Sequence, residues 1–148
     1  LQVGASIYLD RTTIASEQFY NLLETSPVYP TTSQPSYKDF INKYAYLSSH
    51  YKSTIGIHLS KQLSGTFSNS QRAAKAVSEQ SGKQISVLNS NRLSSALGLT
   101  VLRAAEAIEK GQSHDEIVSS VESWNAKNHI LVSAKTVKYL VKSGRLSH

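Results

Sequence analysis

The chain has 148 residues, 39% of them apolar, which suffices for one domain with a true core. Without cysteine it can hold no disulfide framework, thiolate metal site or cysteine nucleophile, and without an apolar run near the ~18 residues of a membrane span it reads as a soluble, cytoplasmic protein. The formal charge of +6 is dispersed over residues such as Lys38, Lys43, Lys52, Lys61, Arg72 and Lys75, with no basic block interleaved with aromatics, so nucleic-acid binding is set aside.

Taken in chain order, Gly4 to Leu9 (GASIYL) predicts a short strand. Ser16 is placed to cap a helix through Phe19, Leu22 and Leu23 that Pro27 and Pro30 end. PTTSQP, Pro30 to Pro35, is too polar and proline-bound for an element. Ser36 and Asp39 then have the spacing of a capping box, opening a helix with Phe40, Tyr44 and Leu47 on its inward face. Thr54 to Leu59 predicts a strand, and from Leu63 the helical period returns through Phe67, Ser70, Ala74 and Val77 until Gly82. Ile85 to Leu88 is a strand. The next helix shows Leu93, Leu97, Val101, Ala104 and Ile108 on one face and ends at Gly111. Ser113 and Glu116 form a second capping box before a helix lined by Ile117, Val121 and Trp124. His129 to Ser133 predicts a last strand, and a short helix through Val137 and Leu140 runs to Gly144.

Strands alternating with helices give an α/β fold: a mainly parallel sheet with helices on both faces. Ligands of such sheets bind where strands give way to helices, because loops and helix N-termini converge there with N–H groups pointing outward. Those positions are rich in hydroxyls here: Ser60, Ser64 and Thr66 after one strand, Ser90, Ser94 and Ser95 after the next, Ser133 and Thr136 after the last. Thr31, Thr32, Ser33 and Ser36 precede a further helix. Hydroxyls donate hydrogen bonds without carrying charge, so with a helix N-terminus they can hold a carboxylate or a phosphate, and Gly65 permits close backbone approach. The alternative for each loop is simple N-capping.

Other chemistries find less support. LSGTF lacks the flanking glycine of a nucleophile elbow, and Lys61 lies in no Walker loop. The five histidines, His50, His58, His114, His129 and His148, have no metal-ligand spacing, and His58 in its apolar strand reads as a satisfied core residue. Asp10, Glu17 and Glu24 read as surface or helix-start charges. No cofactor or metal is expected. Lys135, Lys138 and Lys142 share one helix face with Arg145 just beyond, either a solvated face or a docking surface for an acidic partner.

PTTSQPS, LSGTF, VLNSNRLSSALGLTVLRAAE (Val87 to Glu106) and KYLVKSGRLS (Lys138 to Ser147) together resemble the successive signatures of the DegV family. These are bacterial fatty-acid-binding proteins that act as the acyl-carrier subunit of fatty acid kinase. The resemblance spans the whole chain and implies that residues 1–148 are the first of two α/β domains, without the family's first strand. The absence of methionine and the opening at Leu1 likewise predict a fragment or processed form. It implies further that Thr32 and Ser64 hold a long-chain fatty acid by its carboxylate. Ser33, Gly65, Thr66 and Ser94 are possible supporting residues, and Lys138, Lys142 and Arg145 are candidate contacts to the kinase. The protein would bind and deliver its lipid without catalysis. The alternative from the residues alone is an enzyme or binding domain for a small phosphorylated metabolite. The sequence departs from the family at Lys61 and Gln62, Asn89 and Ser143.

Overall fold

The computed structural model describes residues 1–9 and 12–146; Asp10 and His148, considered above, lie outside the described residues, as do Arg11 and Ser147. The chain opens with a hairpin, β1 (Gln2–Val3) antiparallel to β2 (Ser6–Ile7), followed by α1 (Ser16–Thr25). The expected strand over Gly4 to Leu9 is thus corrected: Gly4 and Ala5 form the turn, and only Ser6 and Ile7 pair. Its apolar side chains also fail to enter the core, since Ile7 and Leu9 are 77% and 62% exposed. In α1, Ser16 is the first helical residue rather than the cap. The Ala15 N–H donates instead to Gln18 Oε1 (3.1 Å).

The second helix, α2 (Tyr37–His50), starts where the sequence predicts. Ser36 Oγ accepts from the Asp39 N–H, and Asp39 Oδ2 accepts from the Ser36 N–H at 2.8 Å, so two orphan donors are satisfied reciprocally. Then come β3 (Ser53–His58), α3 (Thr66–Ser81), β4 (Gln84–Asn89), α4 (Ser94–Glu109), α5 (His114–Ala126) and the short α6 (Lys138–Lys142). Gly82 stops α3 in the left-handed conformation (φ 67°), and Ser113 with Glu116 repeats the capping box at α5.

β3 and β4 pair in parallel from Ser53↔Gln84 to His58↔Asn89, with helices on both faces. On one face Tyr44, Ala73, Ala74 and Val77 of α2 and α3 pack with Ile85 and Val87; on the other, Ala104, Ala107 and Ile117 of α4 and α5 pack with Ile55, Ile57 and Trp124. Alternate strand residues serve the two layers, as the two-residue period requires. Burying one such aliphatic side chain contributes about 1.5–3 kcal/mol, and Ile117 is 1% exposed.

The strand expected over His129 to Ser133 does not form: among the described residues this segment pairs with no strand, and Leu131 is 99% exposed. Three apolar residues in a row, Ile130 to Val132, specify neither periodicity nor a partner edge. Only register with a neighbouring strand would make them β. The segment instead follows the end of α5, which Arg92 ties down by donating to the carbonyls of Asn125 (2.7 Å) and Asn128 (2.6 Å).

Candidate functional site

Because β3 and β4 run in the same direction, the loops that follow them leave the sheet at one edge. Backbone bonds stitch the two loops together, Ser90 N–H to His58 O (3.0 Å) and Ser60 N–H to Arg92 O (2.9 Å). Ser60 and Ser90 are buried and spend their hydroxyls inside these loops, accepting from the N–H groups of Gln62 and Arg92. They shape the loops and do not line the cavity that forms beside them.

PTTSQPS is tied at both ends, to the β1–β2 hairpin and to α3. Thr31 exchanges two backbone hydrogen bonds of 2.9 Å with Gln2, and the Asn69 amide of α3 donates to the Pro35 carbonyl at 3.0 Å. Between these ties the Gln34 amide lies on Gly65 so closely that a Cβ there would stand 2.8 Å from Gln34 Nε2. The glycine is what lets the two hydroxyl loops approach.

Thr32, Ser33, Ser64, Gly65 and Thr66 consequently line one cavity of about 710 Å³, whose remaining wall is mostly apolar: Leu59, Leu63, Leu93, Val132, Leu140 and Leu146. Ser64 Oγ accepts from the Thr66 N–H (3.2 Å) and lies 2.8 Å from Thr66 Oγ1, at the N-terminus of α3. Arg145 Nη2 donates to Thr32 Oγ1 at 3.0 Å. Thr32 Oγ1 is already an acceptor, so its own hydrogen is left to be donated, while Ser64 and Thr66 share one hydroxyl–hydroxyl bond and keep one hydrogen between them for a ligand. Two hydroxyl donors, a guanidinium and a helix N-terminus therefore border an otherwise hydrophobic space, and among the described residues no Asp or Glu lines it. That combination suits an anionic head group on an apolar body.

Arg145, expected at a partner surface, thus borders the cavity itself. Lys142 does not line it; its Nζ stands 4.7 Å from the centroid of the Tyr29 ring, and Lys138 is exposed on α6. Ser94 opens α4 with φ 51° and is exposed; its neighbour Leu93 lines the cavity in its place. Lys61 is exposed as well, with its backbone N–H bonded to Asn89 Oδ1. His58 bonds Ser70 Oγ at 2.6 Å, and the same oxygen lies 2.6 Å from the Tyr44 hydroxyl, a polar chain enclosed between sheet and helices. Burial pushes the His58 pKa below and the Tyr44 pKa above its ordinary value. Sequence reasoning missed Gln34, Asn69 and Arg92, whose roles are contacts to backbone or glycine far along the chain. The only sequence signal is that Gln34 and Arg92 lie inside quoted motifs. Among the described residues no His, Asp or Glu cluster could hold a metal, and no helix is long and apolar enough to cross a membrane.

The profile of one family, described as uncharacterised protein, DegV family, matches residues 1–148. A DegV domain-containing protein of Deinococcus radiodurans is 31% identical over 140 residues, covering 95% of this chain and 48% of the relative. A solved DegV family structure from Thermus thermophilus, described by its fatty acid binding, is 32% identical with a TM-score of 0.83, covering 97% of this chain and 50% of that one. Another, from Ruminococcus gnavus with vaccenic acid, is 26% identical with a TM-score of 0.84 and coverages of 98% and 51%. The chain spans about half the length of the relatives it matches.

Proposed function

The chain belongs to the DegV family, and from that premise we propose that it binds a long-chain fatty acid whose carboxylate accepts hydrogen bonds from Thr32 and Ser64. The observation that carries this reading is that two loops remote in sequence line one cavity, hydroxyls on one part of its wall and leucines on the rest. A phosphorylated metabolite would match the donors but leave the apolar wall without a partner. An acyl chain uses both, since each buried methylene contributes about 0.8 kcal/mol while the hydroxyls and the α3 N-terminus offset the desolvation of the head group. Arg145 acts on the same carboxylate through Thr32. Ser33, Gly65 and Thr66 shape the seat, and Gly65 does so by admitting Gln34.

The proposal extends to a cytoplasmic carrier role. Residues 1–148 form the first α/β domain of a two-domain protein, which presents the head group to a fatty acid kinase subunit that contacts the exposed Lys138 and Lys142. The protein itself then needs no catalytic residue. A relative described by its fatty acid binding and another solved with vaccenic acid support the ligand class.

The test is extraction of the purified full-length protein and mass spectrometry of bound lipid, with wild type compared with Thr32→Val and Ser64→Ala. Each hydroxyl bond to a carboxylate is worth about 1.5–3 kcal/mol, so each variant should retain a tenth or less of the acyl ligand under competition. Full retention in both variants removes these residues from the site.

A further inference from the structure

A second cavity, of about 500 Å³, shares Thr32 and Arg145 with the leucine-walled one but is otherwise lined by different residues. Its chemistry is different too. The Tyr29 and Tyr139 rings stack 5.5 Å apart with planes within 5° of parallel, and Lys142 lies over the Tyr29 face. Lys142 and Arg145 supply two positive charges to its wall, and among the described residues no Asp or Glu lines it. Among the described residues the single ion pair is Lys75 with Glu79 on α3, so no described carboxylate pairs with either cation.

Two unpaired cations on a concave and partly apolar wall focus a positive field into the space between them. The fork of an arginine and the point charge of a lysine are the pair of donors that recurs around phosphate groups, and their charge-assisted bonds are the strong ones. Thr31 and Ser143 lie at the same wall, the Ser143 hydroxyl donating to the Leu140 carbonyl at 3.0 Å, and Tyr139 adds an aromatic surface for a planar group. We propose that this cavity is a binding site for a phosphate-bearing anion, separate from the carboxylate seat. It does not rest on the acyl reading. Where that reading holds, the shared Thr32 and Arg145 bring a phosphate and a carboxylate to opposite partners of one hydrogen bond.

The phosphate could belong to a bare phosphoryl or pyrophosphoryl group or to a nucleotide whose base packs on Tyr139, and the probes separate these. Calorimetric titration of the full-length protein with sodium pyrophosphate should show saturable binding, weakened tenfold or more in Lys142→Gln, restored in Lys142→Arg and unchanged in Ser64→Ala. Adenosine diphosphate binding more tightly than pyrophosphate, with the advantage lost in Tyr139→Leu, assigns a nucleotide; equal affinities assign the bare group. Either result supports the site. No saturable binding by wild type, equal binding by Lys142→Gln, or loss in Ser64→Ala overturns it, the last by placing the anion in the leucine-walled cavity. Acyl retention measured in the same preparations is independent: its absence from wild type would end the carrier reading and leave the phosphate titration standing.

Discussion

Arg145 and Thr32, 113 residues apart in the chain, are joined by a 3.0 Å hydrogen bond from guanidinium to hydroxyl at the rim of the cavity. The bond fixes the Thr32 oxygen as an acceptor, turns its hydrogen outward as a donor, and brings a cation close to any anion that hydrogen meets. Replacing Arg145 by Gln keeps a donor and removes the charge. Fatty acid affinity should fall about tenfold or more, while the melting temperature stays within a few degrees because Arg145 is exposed. Competition binding with a fluorescent acyl probe reads the first and calorimetry the second; unchanged affinity would leave Arg145 no part in the seat.

The Asn69 amide is the tie between α3 and the Pro35 carbonyl. In Asn69→Ala that tie is gone, and the loop is held by the Gln2 bonds to Thr31 and the Arg145 bond to Thr32. A neutral, exposed hydrogen bond contributes about 0.5–1.5 kcal/mol, so stability should change by about 1 kcal/mol or less. Ligand affinity should drop several-fold, since binding must then order the loop. A variant as stable as wild type with unaltered acyl binding would mean that the loop holds its place without Asn69.

What was legible in the sequence follows the range of the interactions. Ser36 with Asp39 and Ser113 with Glu116 act across three residues, and both capping boxes form as read. The alternating faces of β3 and β4 and the helices flanking them also follow from local periodicity. The short apolar runs were misread because a strand exists only through its partner. Gly4 to Leu9 folds back on Gln2 and Val3, and His129 to Ser133 finds no edge. The hydroxyl loops could be located, but local pattern could not say that Ser60 and Ser90 turn inward. Nor could it say that Arg145 reaches Thr32 or Gln34 lies on Gly65, because those depend on how distant segments meet.

Gly56 in β3 faces the Tyr44 hydroxyl so closely that a Cβ would come within 2.5 Å of it and 3.3 Å of His58 Nε2. Gly56→Ala must push Tyr44 away from Ser70 and break the polar chain that Ser70 shares with His58. Overpacking costs about 1–3 kcal/mol, which for a domain of this size lowers the melting temperature by several degrees. Adding Tyr44→Phe removes the clashing oxygen, so the double variant should be more stable than Gly56→Ala alone. If it is not, the oxygen contact is not the cause of the loss.

Acid should weaken the fold in two separate windows, because two kinds of group are shifted for different reasons. His58 has its pKa lowered by burial, so the folded state resists a proton that the unfolded chain accepts; the stability this gives is complete above about pH 6.5 and is lost as pH falls from there through the lowered pKa of the folded state. Asp39 and Glu116 are lowered by the hydroxyl and N–H bonds from Ser36 and Ser113, and their contribution persists until pH falls through the carboxylate range near 4. Urea midpoints taken from pH 8 to pH 3 should therefore step down twice. His58→Gln should remove the upper step while sparing the lower, and Ser36→Ala with Ser113→Ala should flatten the lower while sparing the upper. A midpoint that stays level from pH 8 to pH 5 in wild type would show that His58 takes up its proton as readily in the fold as outside it, contrary to its enclosure between Phe40 and Ser70.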